Sequence, residues 1–357
     1  MSEVHDMYGE SLLENGYCQQ LLCLLAFLMK ENKTYVVLQK GYEVNNEDLK
    51  TMQAWPLERK VRVSQLRIME WYQYWNGQVC VSYSGGKDSS VLLDLARHIY
   101  PELPAVFVDT GLEYPEIRRF ALSQDNVFRI KSKLRFDEVI EKYGYPVISK
   151  RVAGAVEEAK RNLPLGKITT GVQQLMGTYQ EGRSWFNFPK WYFLIDAPFK
   201  ISDRCCDVMK KAPLKAFHQT HGFQPMVGTL AEEGMQRKTN WYKYGCNIFD
   251  SQYPISRPLS FWRNQDILAY LKQTGLPFCS VYGEIVEEAQ MSMPFMEREL
   301  HTTKCDRTGC MYCMFGIHLD QRPNRFERMR DTHPKQYHYC MDQLGCGKVL
   351  DFLQIPY

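Results

Sequence analysis

A short β-rich run, Gln78-Val-Cys-Val-Ser-Tyr-Ser84, leads directly into Gly85-Gly-Lys-Asp-Ser-Ser90. A helical pattern follows from Ser89 to His98, and a second apolar run, Ala105-Val-Phe-Val-Asp109, ends in an acid. Strand, helix and strand within about 30 residues make a βαβ unit, which requires a parallel sheet with helices packed over it. The turn between the first strand and the helix has the chemistry of a phosphate cradle. Gly85 and Gly86 let the backbone turn tightly and approach a phosphate with no Cβ in the way. The open N–H groups at the helix start, with the positive helix end, attract an anion. Lys87 adds a point charge, and Ser84, Ser89 and Ser90 add hydroxyls. Asp88 suits such a cradle only with a cation present, which points to Mg²⁺. The spacing is not the GxxxxGK[ST] of the kinase and GTPase loop. The plainer reading is a glycine turn that caps a helix.

The pattern continues with strands at Phe128–Ile130 and Phe223–Gly228 and helices at Leu134–Tyr143 and Val152–Asn162. A helix over Trp262–Thr274 closes on Gly275 as its C-cap and Pro277 as its stop. Residues 163–203 mix aromatics, Gly and Pro and read as an insertion or lid. Upstream, Leu12, Leu13, Leu21, Leu22, Leu24, Leu25 and Phe27 are dense without strand alternation, and a helix is predicted from Arg62 to Trp75. The division expected is a helical N-terminal cap (1–76), an α/β domain built on the phosphate-loop unit (77–290) and a Cys-rich C-terminal segment (291–357).

Of the 357 residues, 45% are hydrophobic and 24% charged, which excludes a disordered, collagenous or coiled-coil chain. Net charge is only +3, so the total does not mark a polybasic protein. The first 60 residues are acidic and the remainder mildly basic, which suits an anionic partner. The longest apolar run, Leu21–Met29, is far short of the ~20 residues of a spanning helix, and the first residues are acidic where an export signal is basic. The expectation is a cytoplasmic protein without membrane contact, its thiols kept reduced.

Twelve cysteines in that setting read as metal or redox residues rather than a disulfide framework. Cys305, Cys310 and Cys313 fall within nine residues, and a C-x-x-C turn brings two thiolates to one side, as zinc and iron–sulfur sites both require. The tandem Cys205-Cys206 is the source of a further ligand. Cys18, Cys23, Cys80, Cys246, Cys279 and Cys340 read as packing residues. Between Phe315 and Tyr337, the basic residues His318, Arg322, Arg325, Arg328, Arg330 and His333 either contact a nucleic-acid backbone or form the solvated face of a helix over Asn324–Arg330.

Ser84-Gly-Gly-Lys-Asp-Ser after a hydrophobic strand resembles the PP-loop of the adenine-nucleotide α-hydrolase superfamily. Val106-Phe-Val-Asp-Thr-Gly-Leu-Glu-Tyr-Pro-Glu116 is similar to the DTGxE(F/Y)PE signature of its phosphoadenosine phosphosulfate (PAPS) reductase branch. Tyr145–Lys150 and Gly228–Arg237 also resemble segments of that branch, except that Gly234 stands where Ser is usual. The resemblance spans roughly residues 78–320. It implies an α/β fold with a doubly wound, mainly parallel sheet of the HUP/PP-loop type. It also implies ATP bound by Ser84, Gly85, Gly86, Lys87, Asp88, Ser89, Asp109, Thr110, Gly111 and Gly228. Lys87, Asp88 and Arg237 would be catalytic, with Lys238 near the anion.

Arg204-Cys-Cys-Asp-Val-Met-Lys-Lys-Ala-Pro-Leu214 resembles the CCxxRKxxPL element of adenylylsulfate reductases, with Met209 in place of Arg. In those enzymes tandem cysteines join a later C-x-x-C around a [4Fe-4S] cluster, here Cys205, Cys206, Cys310 and Cys313. The iron–sulfur ATP pyrophosphatases of DNA phosphorothioation are also similar and make Cys305 a candidate. Zn²⁺ is the alternative metal. The implied function is cleavage of ATP to AMP and pyrophosphate to activate a substrate in sulfur transfer, with tRNA, DNA or a sulfur-donor protein as partner and oligomers allowed. One alternative is a sulfonucleotide reductase with Cys346 as nucleophile. Against it, many reductases lack the full Gly-Gly-Lys-Asp-Ser loop, and Leu-Gly-Cys-Gly-Lys departs from the usual Glu-Cys-Gly-x-His. The other alternative is a non-catalytic nucleotide-binding subunit with structural zinc.

Overall fold

The computed structural model describes residues 46–181, 186–288 and 299–357. The N-terminal leucines, Cys18 and Cys23 lie outside the described residues. Ten strands occur among the described residues: β1 (Val79–Ser82), β2 (Ala105–Asp109), β3 (Val127–Lys131), β4 (Val147–Ile148), β5 (Gln224–Met226), β6 (Asn247–Ile248), β7 (Ile255–Ser256), β8 (Ile285–Glu288), β9 (Glu299–Thr302) and β10 (Met314–Phe315). Six of them form one sheet in the order β3-β2-β1-β5-β7-β6. β1 runs parallel to β2 and β5, β5 parallel to β7, and β6 antiparallel to β7. The chain winds outward from β1 through β2 to β3, then returns to the other side of β1 at β5. The β1/β5 junction is therefore the topological switch point, where doubly wound sheets bind their ligands at the carboxyl ends of the strands. The α/β, mainly parallel, doubly wound expectation holds.

The described chain packs as two compact units that interleave in sequence. The first holds the described residues up to Phe107, Arg119–Phe128 and His218–Arg307. In it Val79, Cys80 and Val81 of β1 are fully buried, as a central parallel strand covered on both faces must be. The helix Leu57–Tyr74 turns Val63, Ile68 and Trp71 into the same core as Val91, Leu92, Leu95 and Ala96 of the helix Lys87–Arg97. Buried Lys60 is neutralised by Asp266 at 2.6 Å. The predicted C-cap at Gly275 is present, in the left-handed conformation (φ +67°) that glycine adopts without strain.

The second unit holds Val108–Arg118, Arg129–Phe217 and Thr308–Tyr357. β10 pairs in parallel with β4, Met314 opposite Val147. The helix Lys150–Asn162 starts at Ser149, whose hydroxyl accepts the Val152 N–H at 3.2 Å. The stretch 163–203 contributes Val172, Leu175, Leu194, Ala197 and Ile201 to this unit's apolar core. These apolar side chains are buried in that core with Val152, Ala155, Val156 and Ala159 of the helix Lys150–Asn162. Among the described residues no helix is long and apolar enough to cross a membrane.

Candidate functional site

The Ser84–Ser90 turn leaves the end of β1 and opens the helix Lys87–Arg97. Gly85 has φ +72°, a left-handed value that favours glycine. The hydroxyls fold the turn onto itself. Ser84 Oγ and Ser89 Oγ stand 3.0 Å apart, the Gly86 N–H donates to Ser84 Oγ at 3.3 Å, and Ser89 Oγ donates to the Gly86 carbonyl at 2.9 Å. Ser90 Oγ donates to the same carbonyl at 3.1 Å. Lys87 is buried; its Nζ lies 3.3 Å from Asp88 Oδ1, and its backbone N–H donates to the Tyr282 hydroxyl at 3.2 Å. Asp88 is the one acidic side chain of the turn and is the residue that would carry a magnesium ion. No feature of the sequence marks Tyr282, because its partner is 195 residues away.

Gly228 follows β5 and lies against this turn. A Cβ there would stand 2.8 Å from the Asp88 carbonyl oxygen and 3.1 Å from Ser89 Cα. Further along, Glu233 pairs with both Arg237 and Arg307. Burial and the neighbouring Arg307 lower the Arg237 pKa from its ordinary value, while Asp88 opposes the shift. The loop thus has a lysine and two arginines within the same unit.

Asp109, Thr110 and Gly111 close β2 in the second unit. Asp109 is held by Arg118 Nε at 3.0 Å and by Arg129 Nε at 2.7 Å. Burial raises its pKa, but the two guanidinium groups outweigh that and leave it below the usual aspartate value. Thr110 Oγ1 donates to Glu113 at 2.6 Å and the Thr110 N–H donates to it at 3.1 Å. Glu113 in turn lies 3.8 Å from Lys210 Nζ, and Lys210 hydrogen-bonds the Cys310 thiol. This relay from the end of β2 to a cysteine is missing from the sequence reading. Glu113 lies inside the matched signature and Lys210 inside the matched cysteine element, but nothing in either motif says that they meet.

Cys205, Cys206, Cys310 and Cys313 are neighbours in this unit, and none of them is in a disulfide. Burial, then the adjacent thiols, pushes Cys205 above the usual thiol range. Burial takes Cys310 up to about 11 against the pull of Lys210. Burial also raises Cys313. Lys210 loses some proton affinity to burial but gains more from Cys310 and Glu113, so it stays charged. Among the described residues, no group of three or more His, Cys, Asp or Glu side chains stands where it could hold a single metal ion. A tetrahedral zinc needs its thiolates about 2.3 Å from one ion. A four-iron cluster holds its thiolates farther apart, one to each of four irons. Four reduced thiols beside the half-buried Lys210 are a donor set of that second kind. Cys305 belongs to the first unit and donates its thiol to the Arg307 carbonyl at 2.9 Å.

Cys346 is fully buried at the start of the helix Cys346–Phe352. The basic run after Phe315 is spent largely on the fold. Arg325 pairs with Asp320 at 2.7 Å, Arg322 pairs with Glu327 at 2.5 Å, and His333 lies 3.2 Å from Glu116. Asn324 caps the helix Arg325–Thr332.

Among curated proteins, an uncharacterized protein of Methanocaldococcus jannaschii is 31% identical over 75% of this chain, which spans about half (48%) of that protein's length. Adenosine 5'-phosphosulfate reductase of Staphylococcus epidermidis is 22% identical over 74% of this chain and 82% of its own. The Halalkalibacterium halodurans enzyme of the same name is 22% identical over 77% and 91%. Among solved structures, Candida glabrata FMN adenylyltransferase aligns loosely, with 15% identity over 74% of this chain and 75% of that one and a TM-score of 0.35. The family model for the phosphoadenosine phosphosulfate reductase domain matches residues 78–149 and 156–315. Most of the chain lies within that match, and the protein belongs to the phosphoadenosine phosphosulfate reductase domain family.

Proposed function

We propose that this chain binds ATP at the Ser84–Ser90 turn and cleaves it between the α and β phosphates to activate a substrate for sulfur transfer. The observation that carries the reading is the complete Gly-Gly-Lys-Asp-Ser turn at the switch point, closed against Gly228. An acceptor oxygen attacks the α-phosphorus, the bond to the bridging oxygen breaks, and pyrophosphate leaves with the electron pair. Lys87 stabilises the charge that develops on the leaving group. The Gly85 amide and the start of the helix hold the phosphates. Arg237 orients the anionic end of the substrate, steered by Glu233. A magnesium ion on Asp88 would neutralise phosphate charge. Cys205, Cys206, Cys310 and Cys313 would hold a [4Fe-4S] cluster, a carrier of sulfur or electrons when bound, with Lys210 fixing the Cys310 sulfur.

Lys87→Ala tests the reading. Pyrophosphate release should fall about 10²–10³-fold, the scale for loss of one charge-stabilising donor, while the protein remains folded. Release unchanged from wild type overturns it.

A second reading is favoured by the relatives called adenosine 5'-phosphosulfate reductases: thiolate attack on the sulfur of a sulfonucleotide, releasing sulfite after thiol exchange. Burial of Cys346 opposes it. Sulfite formation from adenosine 5'-phosphosulfate with a thiol reductant, in the absence of ATP cleavage, would select it.

A further inference from the structure

Tyr282 meets Lys87 twice. Its hydroxyl accepts the Lys87 backbone N–H at 3.2 Å. Its ring centroid lies 5.9 Å from Lys87 Nζ, within the ~6 Å reach of a cation–π contact. Lys87 is the first residue of the helix Lys87–Arg97, so its N–H is one of the donors for which a helix supplies no partner of its own. One aromatic side chain thus holds both the main chain and the ammonium of the residue expected to act on the phosphates. These residues belong to the first unit.

Tyr282 is itself fixed. It is buried and ends the single 3₁₀ turn Ser280–Tyr282. Its carbonyl accepts the Lys304 N–H at 3.1 Å. At the base of the β8–β9 pair, the Thr303 N–H donates to the Glu284 carbonyl and the Glu284 N–H donates to Thr303 Oγ1, each at 3.0 Å. Gly283, between Tyr282 and this pair, has φ +77°, and a Cβ there would collide with Thr303. The tyrosine is therefore a rigid support for a side chain that is flexible by nature. Asp88 Oδ1, 3.3 Å from Lys87 Nζ, holds the ammonium as well. A donor placed before the reaction stabilises developing charge without reorganisation.

We propose that Tyr282 is a positioning residue that holds Lys87 in its phosphate-receiving place before a nucleotide arrives. The inference rests on the reading that this turn cleaves ATP. The hydroxyl fixes where the main chain of Lys87 starts, and the ring face holds its ammonium. A tyrosine that only filled the core would act independently of the lysine side chain.

The test measures pyrophosphate release per bound ATP with the full chain. Tyr282→Phe fills the same buried space and removes only the hydroxyl. Its kcat should fall about 3–10-fold, the scale of one neutral hydrogen bond, with KM for ATP changed less than about twofold. In the Lys87→Ala background the same substitution should change kcat less than about twofold, because no ammonium remains to be placed. An undiminished effect in that background overturns the proposal, as does a Tyr282→Phe kcat equal to wild type. Amide hydrogen exchange of the nucleotide-free protein separates this outcome from failure of the ATP reading. Wild type that releases no pyrophosphate overturns that reading, and exchange then decides the positioning. The Lys87 amide should exchange about 10-fold faster in Tyr282→Phe than in wild type, and equal exchange overturns the contact.

Discussion

Gly228 and Asp88 meet backbone to backbone, with room for a hydrogen and not for a methyl group: a Cβ on Gly228 would fall 2.8 Å from the Asp88 carbonyl oxygen. The neighbouring atoms are main chain at the start of a helix, so they cannot swing away as a side-chain tip would. This contact fixes the strand-end segment after β5 against the residues expected to hold phosphate.

Gly228→Ala should therefore destabilise the fold by about 1–3 kcal/mol, the range for overpacking, and abolish nucleotide binding. Gly234→Ala is the control. Its Cβ would meet nothing within 4 Å, and its backbone is extended, so its effect should stay within about 0.5 kcal/mol. Urea unfolding and nucleotide titration of both variants check the contrast; equal behaviour would refute the packing argument.

Asp109 makes stability depend on pH in one direction. Its folded pKa is depressed by Arg129 and Arg118 in spite of burial. Its contribution is therefore fully present above the unfolded aspartate pKa of about 3.9 and disappears as pH falls through the lower folded value. Asp109→Asn should cost about 1–3 kcal/mol at neutral pH, the scale for hydrogen bonds to a charged group. It should also flatten this part of the acid limb. Denaturation of wild type and variant between pH 2 and 7, as about the useful range, measures both.

The cysteine grouping predicts which thiols retain iron. Serine at Cys205, Cys206, Cys310 or Cys313 should each lower iron and acid-labile sulfide in protein purified without oxygen. Cys305→Ser should leave both unchanged, because that thiol already donates to the Arg307 carbonyl. Loss of iron in Cys305→Ser would put a fifth residue in the ligand set.

Cys346, fully buried, should resist a thiol reagent in the native protein and react only after unfolding. Cys346→Ala should keep pyrophosphate release within about twofold of wild type, while the small cavity lowers stability by about 1 kcal/mol. Rapid native labelling at Cys346 would revive the reductase reading.

Much of the fold was legible in the sequence because its signals are local. Val79–Val81, the glycines after them and the amphipathic helix from Lys87 each carry their structure in adjacent residues, and the spacing to Ala105–Asp109 forces a parallel pairing. The Gly275 cap could be read for the same reason. In the stretch 163–203, read as an insertion or lid from its aromatics, Gly and Pro, the burial of Val172, Leu175, Leu194 and Ile201 was not legible, because they find their core only in three dimensions. The basic run after Phe315 could be read two ways for the same reason. Charge is visible in sequence, but the carboxylates that consume it, Asp320, Glu327 and Glu116, are selected by folding.

The sequence by itself determined the strand–turn–helix that can hold a phosphate and the supply of thiols, because both depend on residue type and short spacing. Only the tertiary structure decided which long-range pairs form: Gly228 on Asp88, Tyr282 on Lys87, and Lys210 between Glu113 and Cys310. Those contacts depend on burial and on the sheet order, in which residues about a hundred or more positions apart become neighbours.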